Sequence, residues 1–353
     1  MIYPLVLFTK AQPFIPDVLP FIPNDHSIPM KDLDAIDIEG AQALYEMHTQ
    51  LDSPLLQTEE ERQSKILEAD YSKVDIDAMV KGLDIPKDLK RKLKSMLLKH
   101  DTLFSGGLGE AKVEPVDIKL KPGFKPYQHK GYYSVPKMFE KPGKNECNRL
   151  VKAGILKRLD PKTNSPWVAP SFFQPKKDMG IRFLTGLREI NKWIERNPFL
   201  LPKIVEALKK IEKFVSATAI DLSQGYYHIP MSKEAQKILS TVVPWGRYSY
   251  KRLPMGLASA PDIFQNIMTN LFHDLDYVLV YLDDILVIQR EGESEEDHLN
   301  KIDEVLTRLE KMDFRANLRK SFCMQQEIGY LDYSLTTKGV KPQKKKIEAM
   351  KKN

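Results

Sequence analysis

Cysteine is nearly absent: the 353 residues contain two, Cys147 and Cys323, far apart in the chain. That supplies neither the closely spaced set of a disulfide framework nor the paired ligands of a structural zinc site, and a reducing compartment is the simple inference. Long apolar runs are lacking as well. Met1 to Phe8 is apolar but has no basic leader, and Lys10 and Pro13 follow at once. This is not a secretory signal, and no stretch approaches the ~20 apolar residues of a membrane span. Charge of one sign is also scarce. Lys and Arg number 54 against 48 Asp and Glu, for a formal +6. The excess permits nucleic-acid binding without demanding it, since dedicated binding domains run to a pI above ~9. Gly106-Gly107 stands alone, without the spacing or the Lys-Ser/Thr of a phosphate loop.

What is present changes in texture along the chain, whose length suits about two domains, each with its own core. Residues 1–55 carry prolines and short apolar patches such as Pro13-Phe14-Ile15-Pro16, which reads as a linker or a loosely ordered arm. Residues 58–100 turn charged, with Thr58-Glu59-Glu60-Glu61 as a helix start and three- and four-residue apolar spacing from Leu89 to Leu98. The basic run Lys87 to Lys94 is either a nucleic-acid contact or, the commoner outcome, the wet face of a small helical element. Further on, helices are predicted over 138–156, 203–213, after Pro261, and over about 296–312.

The tetrad Tyr281-Leu282-Asp283-Asp284 lies between the branched runs Tyr277 to Val280 and Ile285 to Ile288. Two short strands folded back at a tight turn are predicted, with paired carboxylates at the bend. Most Asp pairs in hairpin turns are merely solvated. A second acidic strand end weighs against that here: Phe214 to Ile220 reads as a strand ending at Asp221-Leu222. If the two lie in one sheet, three carboxylates meet at one edge. They repel unless cations share them, and hard divalent ions prefer oxygen ligands. Two Mg²⁺ ions suit in-line phosphoryl transfer. A helix N-cap is the plainer reading of Asp221, but it leaves the Asp283-Asp284 pair without an account.

From about Val113 to Met350 the chain resembles the reverse transcriptases, most closely those of gypsy-like long-terminal-repeat retrotransposons. The resemblance is carried by ordered blocks: Ser165 to Pro170 with Lys176-Lys177-Asp178, Ile181 to Leu184 leading to Leu187 to Lys192, and Asp221 to Met231. Leu253-Pro254-Met255-Gly256-Leu257 then runs into Ala260 to Gln265, followed by the tetrad and by Gly339 to Pro342.

The resemblance implies an α+β right-hand polymerase fold, with fingers, a palm built on an antiparallel sheet, and a thumb largely missing. It partitions the chain into an arm over 1–57, a helical segment over 58–112, fingers over 113–202, and a palm over 203–337 with a finger insertion at about 232–258. Residues 338–353 would begin a truncated thumb, so a polyprotein fragment with low processivity and steep salt dependence is expected. Asp221, Asp283 and Asp284 look like the metal-binding carboxylates, joined by the backbone of Leu222. Lys176, Arg182, Tyr226, Met255 and Gly256 look like nucleotide contacts, Tyr226 being the aromatic residue that excludes a 2′-hydroxyl. A core tyrosine is its bland alternative, and a solvated turn is that of Lys176-Lys177. Gln265, Tyr281, Leu331, Asp332 and Tyr333 fall near template and primer. Mg²⁺, replaceable by Mn²⁺, is the implied cofactor. An RNA template, a DNA primer and deoxynucleotides are the implied partners, with a dimer or protease, RNase H and integrase neighbours beside them. The location implied is cytoplasmic, in a virus-like particle, or nuclear, and not secreted.

Three positions depart from the family pattern: Gly186 in place of Asp, Asp332 in place of Gly, and Tyr227-His228 in place of His-Gln. A carboxylate at Asp332 would oppose a primer phosphate by ~1 kcal/mol if partly solvated. The two readings that follow are an RNA-directed DNA polymerase and a silent remnant that folds and binds nucleic acid. An RNA-templated RNA polymerase is disfavoured by the bulk of Tyr226.

Overall fold

Leu89, Leu93 and Leu97 recur one turn apart, which is enough to bury one stripe of a helix. In the computed structural model that helix spans Lys87–Lys99 (α2), follows α1 (Ile76–Lys81), and buries all three leucines. The structure describes residues 75–83, 85–163, 165–175, 181–199, 214–330, 333–337 and 339–342. The predicted arm, the helix start at Thr58, the helix over 203–213, Lys176, Leu331, Asp332 and the truncated thumb from 343 lie outside the described residues.

After α2 come α3 (Lys137–Lys152), β1 (Leu156–Arg158), β2 (Ala169–Pro175), β3 (Ile181–Thr185), α4 (Arg188–Trp193) and β4 (Phe214–Asp221). Next are α5 (Lys233–Ile238), β5 (Ser240–Val243), β6 (Gly246–Tyr250), α6 (Ala260–Phe272), β7 (Val278–Tyr281) and β8 (Asp284–Arg290). The chain closes with α7 (Glu295–Lys311), β9 (Phe322–Gln325), β10 (Glu327–Tyr330), β11 (Tyr333–Thr336) and β12 (Gly339–Pro342). It divides into two units, each discontinuous in sequence.

The described part of the first unit covers 125–163, 165–175, 181–192 and 236–250. Its five strands run in the order β1-β6-β5-β2-β3, with β2 and β5 parallel and the other pairs antiparallel. α3 packs on β1 and β3 through Phe139, Cys147 and Leu150. Gly143 lets the helix lie close: a Cβ there would sit 2.9 Å from Phe173 and 3.0 Å from Trp245. The helix stops at Lys152, short of the predicted Leu156. Gly154, at φ 72, turns the chain back so that Ile155 N–H donates to Leu150 O at 2.9 Å. Ile155 and Leu156 continue the apolar pattern, but Leu156 does so as the start of a strand.

The second unit is described over 75–83, 85–124, 193–199, 214–235, 251–330, 333–337 and 339–342. Four strands in the order β7-β8-β4-β9 form its main sheet, all pairs antiparallel, beside a smaller β10-β11-β12 sheet. β8 is buried on both faces, as its unbroken run of branched residues requires. Leu286 and Ile288 join Phe214, Ala217, Leu279, Ile328, Tyr330 and Leu335 in one cluster. α7 packs on β8 and α6 on β7. Ser294 and Asp297 close a capping box at the start of α7. α2 docks on α7 through Lys99, 2.8 Å from Asp303, through Lys92 to Glu296, and through the buried His100. Lys94 is paired with Asp77 and Arg91 with Asp88. Much of the basic run is thus neutralised by carboxylates of its own unit.

Candidate active site

The turn between β7 and β8 is tight because Leu282 adopts φ 54, in the left-handed region a leucine seldom enters. Buried Gln265 on α6 holds it there. Its Oε1 accepts from Leu282 N–H at 2.7 Å, and its Nε2 donates to Val280 O at 3.1 Å and to Thr269 Oγ1 at 3.2 Å. The amide thus replaces the hydrogen bonds that the turn denies its backbone. Tyr281 is buried and pairs with Asp284 across the hairpin.

β4 lies beside β8 in a register that sets Asp221 directly opposite Asp284. Asp221 is therefore a strand end, and the N-cap alternative falls. Its N–H donates to Ser321 Oγ at 3.2 Å, its carbonyl accepts from Asn317 N–H at 2.8 Å, and buried Leu222 pairs with Ala316. Asp283 follows Leu282 at the bend. Burial first, then the charge of Asp284, pushes its carboxyl up to about 6, while Lys320 pulls the other way. Among the described residues no three His, Cys, Asp or Glu side chains are gathered tightly as a metal site. Three like charges without a counter-ion do not collapse on one point. Burial and the neighbouring Asp284 charge both disfavour the ionised Asp283 carboxylate, which a cation held there would favour, and hard oxygen donors suit Mg²⁺. The donor set therefore fits divalent ions.

Tyr226 sits in the 3₁₀ turn Gly225–His228, which begins four residues after Asp221. Its ring meets Phe264 edge-on at 5.1 Å and is mostly buried. Burial and the nearby Asp283 charge raise its phenol well above the usual range, so it stays neutral. Gly225 is required by space: a Cβ there would lie 2.8 Å from Phe264 and 3.6 Å from Asp283 Cβ. The turn is thereby pressed against the carboxylate bend. Met255 is partly buried, and Gly256 is exposed at φ 87, a backbone that favours glycine.

Tyr333, on β11, pairs with Tyr330, whose hydroxyl reaches Asp284 O at 3.5 Å. Arg182 lies on β3 opposite Gln174, in the first unit. At Gly186 a Cβ would meet only ordinary contacts from 3.5 Å, so room does not dictate the glycine. Sequence reasoning did not anticipate the Gln265 amide as a clamp on the bend, nor Ser321 and Asn317 on Asp221. None has a signature beyond its residue type. Both cysteines are free and buried, and burial pushes each thiol up to about 12.

Residues 174–335 match the family described as reverse transcriptase (RNA-dependent DNA polymerase). Over 213 residues the chain is 30% identical to the retrovirus-related Pol polyprotein from transposon 297 of Drosophila melanogaster, covering 58% of this chain and 20% of the relative. It is 28% identical over 206 residues to the transposon Tf2-3 polyprotein of Schizosaccharomyces pombe, covering 58% and 15%. The Pol polyprotein from transposon opus of Drosophila melanogaster is 25% identical over 269 residues, covering 75% and 26%. The chain thus spans about a quarter or less of each of these relatives. A foamy viral protease-reverse transcriptase in complex with double-stranded DNA shares the fold at a TM-score of 0.69 and 21% identity, covering 86% of this chain and 51% of that one. The same viral protein with an RNA/DNA hybrid gives 0.67 and 21%, covering 85% and 38%. Residues 174–335 are thus the stretch that matches the reverse transcriptase family, and the relatives that align with the chain are transposon polyproteins.

Proposed function

We propose that the chain is the polymerase part of a gypsy-like retrotransposon polyprotein, an RNA-directed DNA polymerase extending a DNA primer on an RNA template. The first unit serves as fingers and the second as palm. The observation that carries the reading is the register of Asp221 against Asp284, with Asp283 at the adjoining bend and Tyr226 beside it. Asp221, Asp283 and Asp284, with the backbone of Leu222, would hold two Mg²⁺ ions, or Mn²⁺ in their place. Bound there, the ions supply Lewis-acid activation of the primer 3′-hydroxyl and charge neutralisation at the departing pyrophosphate. The chain's own residues orient and exclude. The Gln265 clamp fixes the bend and so the aim of Asp283. Tyr226, neutral and wedged on Phe264, is a rigid wall against a 2′-hydroxyl. Lys176 and Arg182 would neutralise triphosphate oxygens.

The test is primer extension on a homopolymer RNA template with Mg²⁺ or Mn²⁺ at low salt, with Asp283→Asn in parallel. Extension that falls at least ~10³-fold in the variant supports the metal-dependent polymerase, as expected for loss of a group that acts at the reacting atoms. Template binding with no extension by the wild-type chain would favour the silent remnant.

A further inference from the structure

Tyr227-His228 is one of the places where the chain departs from the pattern of the family it resembles, and the structure gives His228 a definite task. We propose that His228 is the positioning residue that fixes Tyr226, and through it the rejection of ribonucleotides. The proposal rests on Tyr226 as the sugar gate.

His228 is fully buried, and both ring nitrogens have partners. Arg315 N–H donates to Nε2 at 3.0 Å, so Nε2 is the bare nitrogen. Nδ1 then carries the proton and donates to Gly225 O at 3.2 Å, across the 3₁₀ turn that holds Tyr226. The tautomer follows from the partners. Burial keeps the ring neutral by lowering its pKa to about 4, so the arrangement persists at neutral pH.

The anchor is well placed. Arg315 also accepts from Ser223 N–H at 2.9 Å, while its neighbour Ala316 pairs with Leu222. One short stretch therefore fixes the end of the Asp221 strand through backbone and the Tyr226 turn through the histidine. On the other side, His228 O accepts from Ala111 N–H at 2.8 Å and from Arg252 Nη1 at 3.0 Å. Buried Arg252 leads directly into the Leu253 to Gly256 loop and also pairs with Glu110 at 2.7 Å. Three stretches of chain meet at one residue.

His228 reaches Tyr226 by a second route. The imidazole lies 5.3 Å from Phe314, Phe314 meets Phe264 at 6.3 Å, and Phe264 meets Tyr226 at 5.1 Å. The backbone turn and this chain of rings close a loop around the gate. Loosening the histidine frees the tyrosine at both ends.

The experiment is single-nucleotide extension by the full chain, comparing kcat/KM for a deoxynucleotide and the matching ribonucleotide. H228L removes both side-chain hydrogen bonds and should lower the preference for the deoxynucleotide about tenfold, the scale of one or two neutral hydrogen bonds. H228Q keeps a donor and an acceptor and should stay within about threefold of wild type. H228N, which spares the bond to Gly225 and drops that to Arg315, should fall between them and carries the test if H228L does not fold. A histidine that merely supports the fold would lower kcat/KM for both nucleotides alike, and an unchanged ratio overturns the proposal. Tyr226→Ala distinguishes the causes: a shifted ratio there but not in the histidine variants overturns His228 alone. An unchanged ratio in Tyr226→Ala sinks the gate reading and the proposal with it. A readout free of turnover is the imidazole nitrogen-15 spectrum, where protonated Nδ1 is expected and protonated Nε2 would overturn the assignment.

Discussion

The carboxylate bend is held by a residue without charge. Gln265 meets Leu282 N–H and Val280 O with the two ends of one amide, in a place closed to water. Gln265→Met keeps the bulk and removes all three of the amide's hydrogen bonds, which leaves a buried N–H unpaired at a backbone already strained by φ 54. An unpaired buried group costs about 1–3 kcal/mol, so a drop in Tm of several degrees is expected by thermal melt. The melt should be accompanied by weaker primer extension than the fold loss alone explains, because Asp283 rides on the same turn. A Tm equal to wild type would mean that water or a neighbour replaces the amide. The placement of the three aspartates was legible because two separate runs of branched residues each end at a carboxylate, and the structure sets those ends opposite one another. The glutamine clamp was not, because a left-handed leucine has no sequence mark comparable to glycine's, and the partner of a turn is unknown until the turn is seen. Nothing in the sequence marks the role of His228 either, because its partners come from 3 and 87 residues away.

At the scale of elements, periodicity did most where one face is buried. The leucines of α2 and the apolar positions of α7 mark their helices directly, and the Ser294 to Asp297 box marks where α7 begins. The end of α3 was overrun because Ile155 and Leu156 extend an apolar rhythm that Gly154 has already ended. What periodicity could not show is the partner of α2. His100 is buried between Asp303, 2.8 Å from Nε2, and Glu310, 2.9 Å from Nδ1, both on α7. The histidine thus adds to the Lys92 and Lys99 ion pairs in joining α2 to α7, the helix that packs on β8. His100→Ala removes hydrogen bonds to charged groups and should cost about 2 kcal/mol. Hydrogen exchange should localise the loss: amides of 87–99 should exchange faster while those of β8 stay protected. Uniform acceleration would instead make α2 and the sheet one cooperative unit.

For the whole molecule, the decisive fact is topological. The order β7-β8-β4-β9 brings Asp221 beside Asp284 across more than 60 residues, and no local pattern states that order. The family resemblance implied an antiparallel palm sheet with the three carboxylates together but no strand order, and the discontinuous units likewise have no local marker at their crossings. The same sheet places a titratable group in its interior. His298 on α7 is fully buried; its Nε2 lies 3.1 Å from Thr218 Oγ1 on β4, and its Nδ1 has no hydrogen-bond partner among the described residues. Thr218 Oγ1 also accepts from Met324 N–H at 3.0 Å, so one hydroxyl ties the histidine to both β4 and β9. Burial, reinforced by Lys301 and opposed by Glu293, lowers the His298 pKa from 6.5 to about 4. Between those values the unfolded chain binds more protons than the folded one, so stability rises with pH across the window. The contribution is complete above about pH 6.5 and is lost as pH falls toward 4, on the order of 3 kcal/mol. Other groups titrate there too, so the informative quantity is a difference. Wild type and His298→Gln, unfolded with denaturant at several pH values from 7.5 to 4.5, should converge or cross as pH falls, the wild type losing stability faster. A constant offset would show that the ring is reached by water or by a partner for its Nδ1, and that the interior between α7 and the four-stranded sheet is less closed than the packing of α7 on β8 implies.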